Sequence, residues 1–231
     1  DISENLDKAI SYLMLAGIKN FFIFDYGQSE TCFKRIIEII ENDETFRKYI
    51  EIDDASKLNN SKIDILNNYF KSKLYLAKIS LSTGRWNKSL DLLNSINCKN
   101  ISDNTLSYDI YYSYGEVYLM KRDHNLAISN FKQALKLSKE LNDKSKEGSV
   151  IGELAHIAFQ LGQNDSALKG FNKELELFKE AGNSLKLPIA YGHFGIFYLQ
   201  NGKMDKALDF FNKKYKISSE NDSKQQILMA L

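Results

Sequence analysis

A short pattern, an alanine followed four residues later by a phenylalanine, recurs at a fixed interval along this chain. Its three copies lie 40 residues apart: Ala127/Phe131, Ala167/Phe171 and Ala207/Phe211. A constant period of this size is typical of proteins built from stacked supersecondary units, in which each unit buries its apolar face against its neighbours. The period therefore predicts an array of similar units rather than one layered domain.

A second pattern precedes each copy and has the spacing of one helix face. Apolar residues stand at i, i+3 and i+7, and a small residue stands at i+4, where it lets a second helix approach closely. A single proline in 231 residues also favours long helices. Each unit is therefore predicted to be a pair of helices. The residues of the pattern are Tyr111/Tyr114/Gly115/Tyr118, Ile151/Leu154/Ala155/Ala158 and Tyr191/Phe194/Gly195/Tyr198.

Together the two patterns resemble the tetratricopeptide repeat (TPR), in which W-x2-L-G-x2-Y is followed by A-x3-F. The resemblance implies an all-α fold, a right-handed superhelix of stacked antiparallel helix hairpins, which is a TPR-like α-solenoid. The usual repeat has 34 residues and ends near a proline. Lys139, Lys179 and Ser219 stand in the place of that proline here. Without a helix breaker we expect helices of roughly 17 residues, about 25 Å long.

Two earlier units follow the pattern more loosely. Ser89-x3-Leu93 predicts one second helix, and we assign Cys32-x3-Ile36 to the other. The first residues of these two motifs, Cys32 and Ser89, lie 57 residues apart. We therefore expect roughly 17–19 inserted residues between the two units, with a short helix around Glu44–Ile52. The predicted organisation is a divergent N-terminal helical hairpin (1–41), an insertion with a short helix (42–61), a TPR-like repeat (62–102), three TPR repeats (103–143, 144–183 and 184–222) and the start of a truncated further helix (223–231).

The long repeat is similar to that of kinesin light chains, polarity scaffolds, peptide-sensing regulators of Gram-positive bacteria, and the TPR tails of multidomain signalling ATPases, cyclases and kinases. The chain begins with Asp1, and residues 225–231 resemble a helix that stops within its pattern. We therefore expect a fragment of a larger bacterial signalling or regulatory protein. The resemblance implies a cytoplasmic scaffold for protein–protein interaction, which also allows self-association through the exposed terminal repeat.

Composition and motifs argue against several other functions. A net charge of +1 provides no general attraction to nucleic acid or to an anionic membrane, and we expect neither as a direct partner. Cys32 and Cys98 have no metal-ligand or disulfide-framework spacing. No nucleotide-binding or hydrolase motif is present, so we expect no enzyme activity, cofactor or metal. His156 and His193 fall in adjacent first helices, and Glu174 is interpreted as a solvated carboxylate.

In TPR arrays the first helices line the concave groove, and the residue after each consensus contact faces the ligand. A mixed apolar and polar groove of this kind suits a peptide, an amphipathic helix or an adjacent domain. For Phe159, packing against the neighbouring repeat is an equal alternative. The other function considered is a peptide-sensing regulator that switches an attached DNA-binding or enzyme domain. The predicted groove residues are Leu74, Lys78, Tyr112, Glu116, Met120, His156, Phe159, Gln160, Ile196 and Gln200.

Overall fold

The computed structural model describes residues 2–50, 58, 60–97, 101 and 103–230, and the secondary structure in this part of the chain is entirely helical. The predicted all-α solenoid of helix hairpins is confirmed. The helices are α1 (Ile2–Phe22), α2 (Tyr26–Asn42), α3 (Glu44–Ile50), α4 (Asn60–Ser82), α5 (Trp86–Asn94), α6 (Asn104–Met120), α7 (His124–Glu140), α8 (Lys144–Gln160), α9 (Asn164–Glu180), α10 (Leu187–Gln200) and α11 (Met204–Ala230).

The chain divides into two compact units, Asp1–Asp123 and His124–Leu231, and each has its own apolar core. In the first unit α4 is central, and it packs against α1, α2, α3, α5 and α6. In the second unit α8 pairs with α9, α10 pairs with α11, and α10 also packs against α9. The core between α8, α9 and α10 is largely aromatic, with Phe171, Phe194 and Phe197 all buried.

In the α1–α2 and α10–α11 hairpins, a small residue of the first helix packs against a bulky residue of the second. A Cβ atom on Gly17 would lie 2.8 Å from the ring of Phe33, and one on Gly195 would overlap the ring of Phe211. The hydroxyl of Ser29 donates to the Gly17 carbonyl at 2.9 Å. Further along the first unit, the Ser89 hydroxyl makes the same bond to the Ala77 carbonyl at 2.8 Å.

These contacts correct the register expected for the first hairpin. Ser29-x3-Phe33, rather than Cys32-x3-Ile36, occupies the alanine and phenylalanine positions, because Phe33 is the residue that packs on Gly17. The step from Ser29 to Ser89 is 60 residues, so the insertion is longer than expected. Serine replaces the consensus alanine in both early units, and its hydroxyl bonds to the facing helix.

The turn inside each hairpin depends on a residue with positive φ. Gly162 has φ 76° and Gly202 has φ 71°, values that glycine adopts without steric cost. The following amide, of Gln163 or Lys203, bonds at 2.9 Å to a carbonyl five residues earlier, which is the bond of a Schellman motif. Arg122 makes the same turn without glycine, at φ 62°.

Most predicted helix lengths are confirmed, since α2, α6, α7, α8 and α9 each have 17 residues and α3 lies where a short helix was expected. The boundary expected between a repeat ending at residue 222 and a further helix starting at 223 is absent, because α11 continues through both residues. The side chain of Asn221 is buried, and its amide donates to the Ser184 carbonyl at 3.0 Å. Asn221 thus holds the loop before α10. The predicted insertion loop, largely within residues 51–57, and Cys98 lie outside the described residues.

None of the helices in the described part of the chain is both long enough and apolar enough to span a membrane.

Candidate functional site

In the first unit, the structure separates the predicted surface residues into buried and accessible ones. Leu74 is only 2% exposed and belongs to the core, so its assignment to a binding surface is wrong. The physical reason is that α4 is surrounded by five other helices of this unit. Lys78, one turn further along, is half-buried, and its ammonium lies 5.6 Å from the centre of the Tyr75 ring.

The predicted residues of α6 follow one another at every fourth position and line one strip of the helix. Tyr112 is half-buried and stacks on Tyr108 with ring centres 5.8 Å apart. Glu116 is also half-buried, and Met120 is 47% exposed. An aromatic ring, a carboxylate and a flexible thioether therefore lie along one side of α6.

In the second unit, the predicted residues lie on α8 and α10. His156 and Gln160 are joined by a 3.2 Å hydrogen bond between their Nε2 atoms. Ile196 is 40% exposed, and Gln200 is exposed at the end of α10. Phe159 is half-buried with its ring 5.3 Å from that of Phe197, which favours the packing alternative for this residue.

His156 and His193 of the second unit meet, as their positions in adjacent first helices suggested. The rings of His156 and His193 stack with centres 5.9 Å apart and planes inclined by 21°. On its other side His193 stacks on Phe171, at 5.2 Å between ring centres. The imidazole of His193 is therefore held between a ring from α8 and a ring from α9.

His193 also contacts a buried carboxylate that the sequence did not reveal. Its Nδ1 atom lies 2.8 Å from Oε2 of Glu174, whose residue exposure is only 1%. The carboxylate occupies the space where a side chain on Gly152 would lie. The interpretation of Glu174 as a solvated carboxylate is therefore wrong. Because Gly152 on α8 has no side chain, the carboxylate of Glu174 on α9 fits inside the unit.

Burial and mutual contact shift the pKa values of this cluster. Burial raises the pKa of Glu174 above its usual range, although the bond to His193 opposes the shift. Burial would lower the pKa of His193, but Glu174 and, more weakly, Glu153 raise it. Burial and the neighbouring His193 lower the pKa of His156. The arrangement favours a charged His193 beside a neutral His156.

The geometry suits structural support better than acid–base chemistry. Glu174 is sealed from solvent, so a substrate has no access to its carboxylate. A cavity of about 360 Å³ lies elsewhere, in the first unit, lined by Glu41, Arg47, Ile50 and Tyr69. Within the part of the chain that the structure describes, no group of three or more histidine, cysteine or acidic residues is arranged to hold a metal ion.

The 40-residue register was the signal that could have located the buried charge. Glu174 stands 40 residues after Ala134 and 40 residues before Lys214. Ala134 is fully buried, so the residue at the equivalent position of α9 is also expected to be buried. The glycine that admits the carboxylate, Gly152, recurs 40 residues later as Gly192, and the Lys214 ammonium lies 3.6 Å from where its Cβ would be.

Comparison with protein families agrees with the repeat assignment. Models of the tetratricopeptide repeat match residues 108–141 and 146–220. The two matches span all or most of α6 to α9 and the hairpin of α10 with the first part of α11. No curated protein matches the sequence of this chain.

Solved structures with the same fold are distant in sequence. Aspartyl phosphate phosphatase F from Bacillus subtilis aligns with a TM-score of 0.67 at 15% identity, over 93% of this chain and 51% of that one. A putative kinesin light chain from Podosopora anserina with TPR-like repeats gives 0.59 at 11% identity, over 94% and 98%. A signal transduction ATPase with numerous domains and a tetratricopeptide repeat sensor, from Pyrococcus horikoshii, gives 0.56 at 17%, over 89% and 34%. This chain thus spans about half of the phosphatase and a third of the ATPase.

Proposed function

Since this chain is a domain of the tetratricopeptide-repeat family, we propose that it is a protein-interaction module whose first helices bind a peptide, a partner protein or an adjacent domain. The family match supports a role in protein binding, and repeats of this type are typically non-catalytic. The proposal adds the location of the surface and its setting in a larger cytoplasmic signalling or regulatory protein.

The exposed apolar stripe of α10 carries the proposal for the second unit. Ile189, Ile196 and Leu199 are 44%, 40% and 44% exposed, and their spacing of seven and three residues places them on one side of the helix. The opposite side of α10 is buried in the aromatic core. Fully burying an aliphatic side chain contributes about 1.5–3 kcal/mol, so a partner that covers this stripe gains several kcal/mol.

Polar groups beside the stripe supply the directional part of recognition. Gln200 lies at the end of α10, and the hydrogen-bonded pair His156 and Gln160 lies on α8. Amide and imidazole groups both donate and accept, which suits the backbone of a bound peptide. The strip on α6 in the first unit, with Tyr112, Glu116 and Met120, offers the same mixture and is proposed as a contact surface of its own.

Two relatives support the proposed setting. The Pyrococcus ATPase carries its repeats as a sensor within a multidomain protein, and both it and the phosphatase are considerably longer than this chain. The same observation favours the second candidate function, a peptide sensor that switches an attached DNA-binding or enzyme domain. A sensor requires that the ligand bind two conformations of the repeats with different affinity.

The binding proposal is tested by selecting 12-residue peptides from a random displayed library on the purified protein and measuring their affinities. Ile196→Asp should weaken peptides bound to the second unit at least tenfold, because it places a charge in the apolar stripe. Met120→Asp should do the same for peptides bound to the first unit. The matched control is Leu161→Asp, at a residue that is 49% exposed in the turn after α8.

Circular dichroism should show the same helix content for all three variants, because the three residues are exposed. The proposal fails if the selection yields no peptide, or if Leu161→Asp weakens binding while Ile196→Asp and Met120→Asp do not.

A further inference from the structure

The turn between α1 and α2 exposes three consecutive large apolar residues. Phe22, Ile23 and Phe24 are 67%, 50% and 77% exposed. Phe24 has φ 62°, a left-handed conformation that a bulky residue rarely adopts and that glycine adopts without steric cost. Neither burial nor the geometry of the turn therefore accounts for an aromatic residue at this position.

Stacking of the hairpins does not cover residues at this position. Counted from the small residue of each first helix, the equivalents of Phe24 are Arg122 in the α6–α7 turn and Gly202 in the α10–α11 turn. Each of these first helices has a neighbouring hairpin, since α6 packs against α4 and α5, and α10 packs against α8 and α9. The last residue of each helix and the two turn residues after it are nevertheless exposed. A further hairpin stacked on α1 would therefore leave Phe22, Ile23 and Phe24 accessible.

Contacts between side chains place three turns of the first unit beside one another. Arg85, in the turn between α4 and α5, lies 3.4 Å from the Glu30 carboxylate near the start of α2. Lys121, in the turn between α6 and α7, donates to the Asn87 side chain near the start of α5 at 2.6 Å. The turn at residues 22–25 directly precedes α2. These three turns, with the first residues of α2 and α5, form one surface, the turn edge.

The turn edge has a local excess of positive charge. Lys34, Arg85 and Lys88 share the carboxylate of Glu30, at 3.0, 3.4 and 3.4 Å. The net charge of +1, on which the expectation of no membrane partner was based, is an average over the whole chain. The acidic residues of the three turns are Asp25, which caps α2, and Asp123. The exposed basic residues are Lys19, Arg85, Lys88, Lys121 and Arg122.

We propose that the turn edge binds the surface of membranes that contain anionic phospholipids. Phe22, Ile23 and Phe24 enter the boundary between headgroups and acyl chains, and the surrounding basic side chains contact lipid phosphates and carboxylates. Trp86, which is 41% exposed and directly follows Arg85, is of the residue type that favours this boundary. Charge complementarity selects an anionic surface. Consecutive residues of a turn project in different directions, which suits insertion into lipid better than docking on a flat protein surface.

Binding to vesicles of defined composition tests the proposal. The purified chain is sedimented with vesicles of phosphatidylcholine alone, or with about 30% phosphatidylserine added. The vesicles with phosphatidylserine should bind the protein about tenfold more tightly or better, and added salt should weaken this binding. The emission of Trp86, the single tryptophan, should shift to shorter wavelength as its ring leaves water.

Two matched pairs of variants locate the contact. Ile23→Asp should weaken vesicle binding about tenfold or more, because a carboxylate would have to enter the apolar boundary. Leu161→Asp makes the same change at the equivalent turn position of the α8–α9 hairpin, where exposure is 49% against 50% for Ile23, and should bind like the wild type. Arg122→Glu should weaken binding about fivefold or more, whereas Lys216→Glu, at an exposed position of α11, should not. Circular dichroism checks that each variant is folded.

Several results would overturn the proposal. They are the absence of binding to vesicles with phosphatidylserine, equal binding to both kinds of vesicle, and binding that Ile23→Asp leaves intact or that Leu161→Asp weakens as much. Self-association without lipid, seen in sedimentation and lost in Ile23→Asp, would show instead that a second copy covers the turn. The turn edge contains none of the residues proposed for peptide binding, so either proposal can fail without the other.

Discussion

Replacing His193 by leucine should destabilise the second unit, and the loss should depend on pH. The change removes the proton donor that lies 2.8 Å from Glu174 and leaves a carboxylate with 1% exposure without a partner. Leaving one member of a buried ion pair alone costs about 3–5 kcal/mol. The leucine itself is close in size to the imidazole, so packing should contribute less.

The pH dependence arises because the Glu174 carboxylate, once it has lost its partner, can be neutralised by binding a proton. Glu174 can bind a proton, and at pH 7 this costs about 4 kcal/mol if its unfolded pKa is about 4.3, at about 1.4 kcal/mol for each pH unit. At pH 5 the same protonation costs only about 1 kcal/mol. The destabilisation caused by His193→Leu should therefore decrease from about 4 kcal/mol at neutral pH to about 1 kcal/mol at pH 5.

Two matched variants isolate the charge. Glu174→Ala reproduces the residue found at the equivalent buried position of α7, Ala134. It removes the acceptor, and His193 can then lose its proton instead of remaining a charge without a partner, so the change should cost about 1–2 kcal/mol. The double variant His193→Leu/Glu174→Ala should be more stable than His193→Leu alone, because the uncompensated carboxylate is gone.

Thermal unfolding followed by circular dichroism measures these differences. At about 2–4 °C for each kcal/mol, His193→Leu should lower the melting temperature by roughly 10 °C at pH 7. The single tryptophan, Trp86, lies in the first unit, so its fluorescence provides a separate signal for that unit. Either of two results would refute this prediction. The first is that His193→Leu and the wild type have the same melting temperature at pH 7. The second is that the melting temperature of the variant lies as far below that of the wild type at pH 5 as at pH 7.

Three further changes test other parts of the structure. The pKa of His193 is raised in the folded state. Its contribution to the free energy of unfolding should therefore be complete below about pH 6.5, the ordinary pKa of histidine, and should be lost as pH rises through the pKa of the folded state. The pKa of His156 is lowered in the folded state, so this group makes the wild-type protein more stable as pH rises and partly masks the effect of His193. The melting temperature of His156→Gln should therefore fall more steeply with rising pH than that of the wild type. A melting temperature that does not change with pH would contradict this. Gly195→Leu should cost about 1–3 kcal/mol or more, because even a Cβ overlaps Phe211, and an unchanged melting temperature would contradict the hairpin register. Arg122→Gly should raise stability by about 0.5–1 kcal/mol by relieving the positive φ of 62°, and calorimetry showing a loss would contradict that account.

The hairpin architecture was predictable because the strongest constraint, the 40-residue period, is carried by large and small apolar residues that have few alternatives. The first register was harder to find, since Ser29 replaces the consensus alanine and Cys32-x3-Ile36 imitates the motif three residues later. The spacing of 12 residues from the small residue to the alanine position identifies the register, as in Gly195 and Ala207.

The polar cluster and the buried Leu74 could not be inferred from residue types alone. A glutamate on a second helix is usually solvated, and only the missing side chain at Gly152 makes room for Glu174. Leu74 occupies a position that would be accessible in a regular repeat, but α4 is surrounded by other helices of the first unit, including the short α3. The predicted binding residues of α6, α8 and α10 remain a prediction.

Photo-crosslinking of a selected peptide shows directly which helices of the protein bind it. A peptide obtained by the selection described above would carry a benzophenone at one position after another, and the crosslinked residues would be identified by mass spectrometry. Crosslinks are expected on α6, or on α8 and α10, with attachment sites near Met120 or near His156 and Gln200. Crosslinks confined to the exposed sides of α7 and α9 would contradict this expectation.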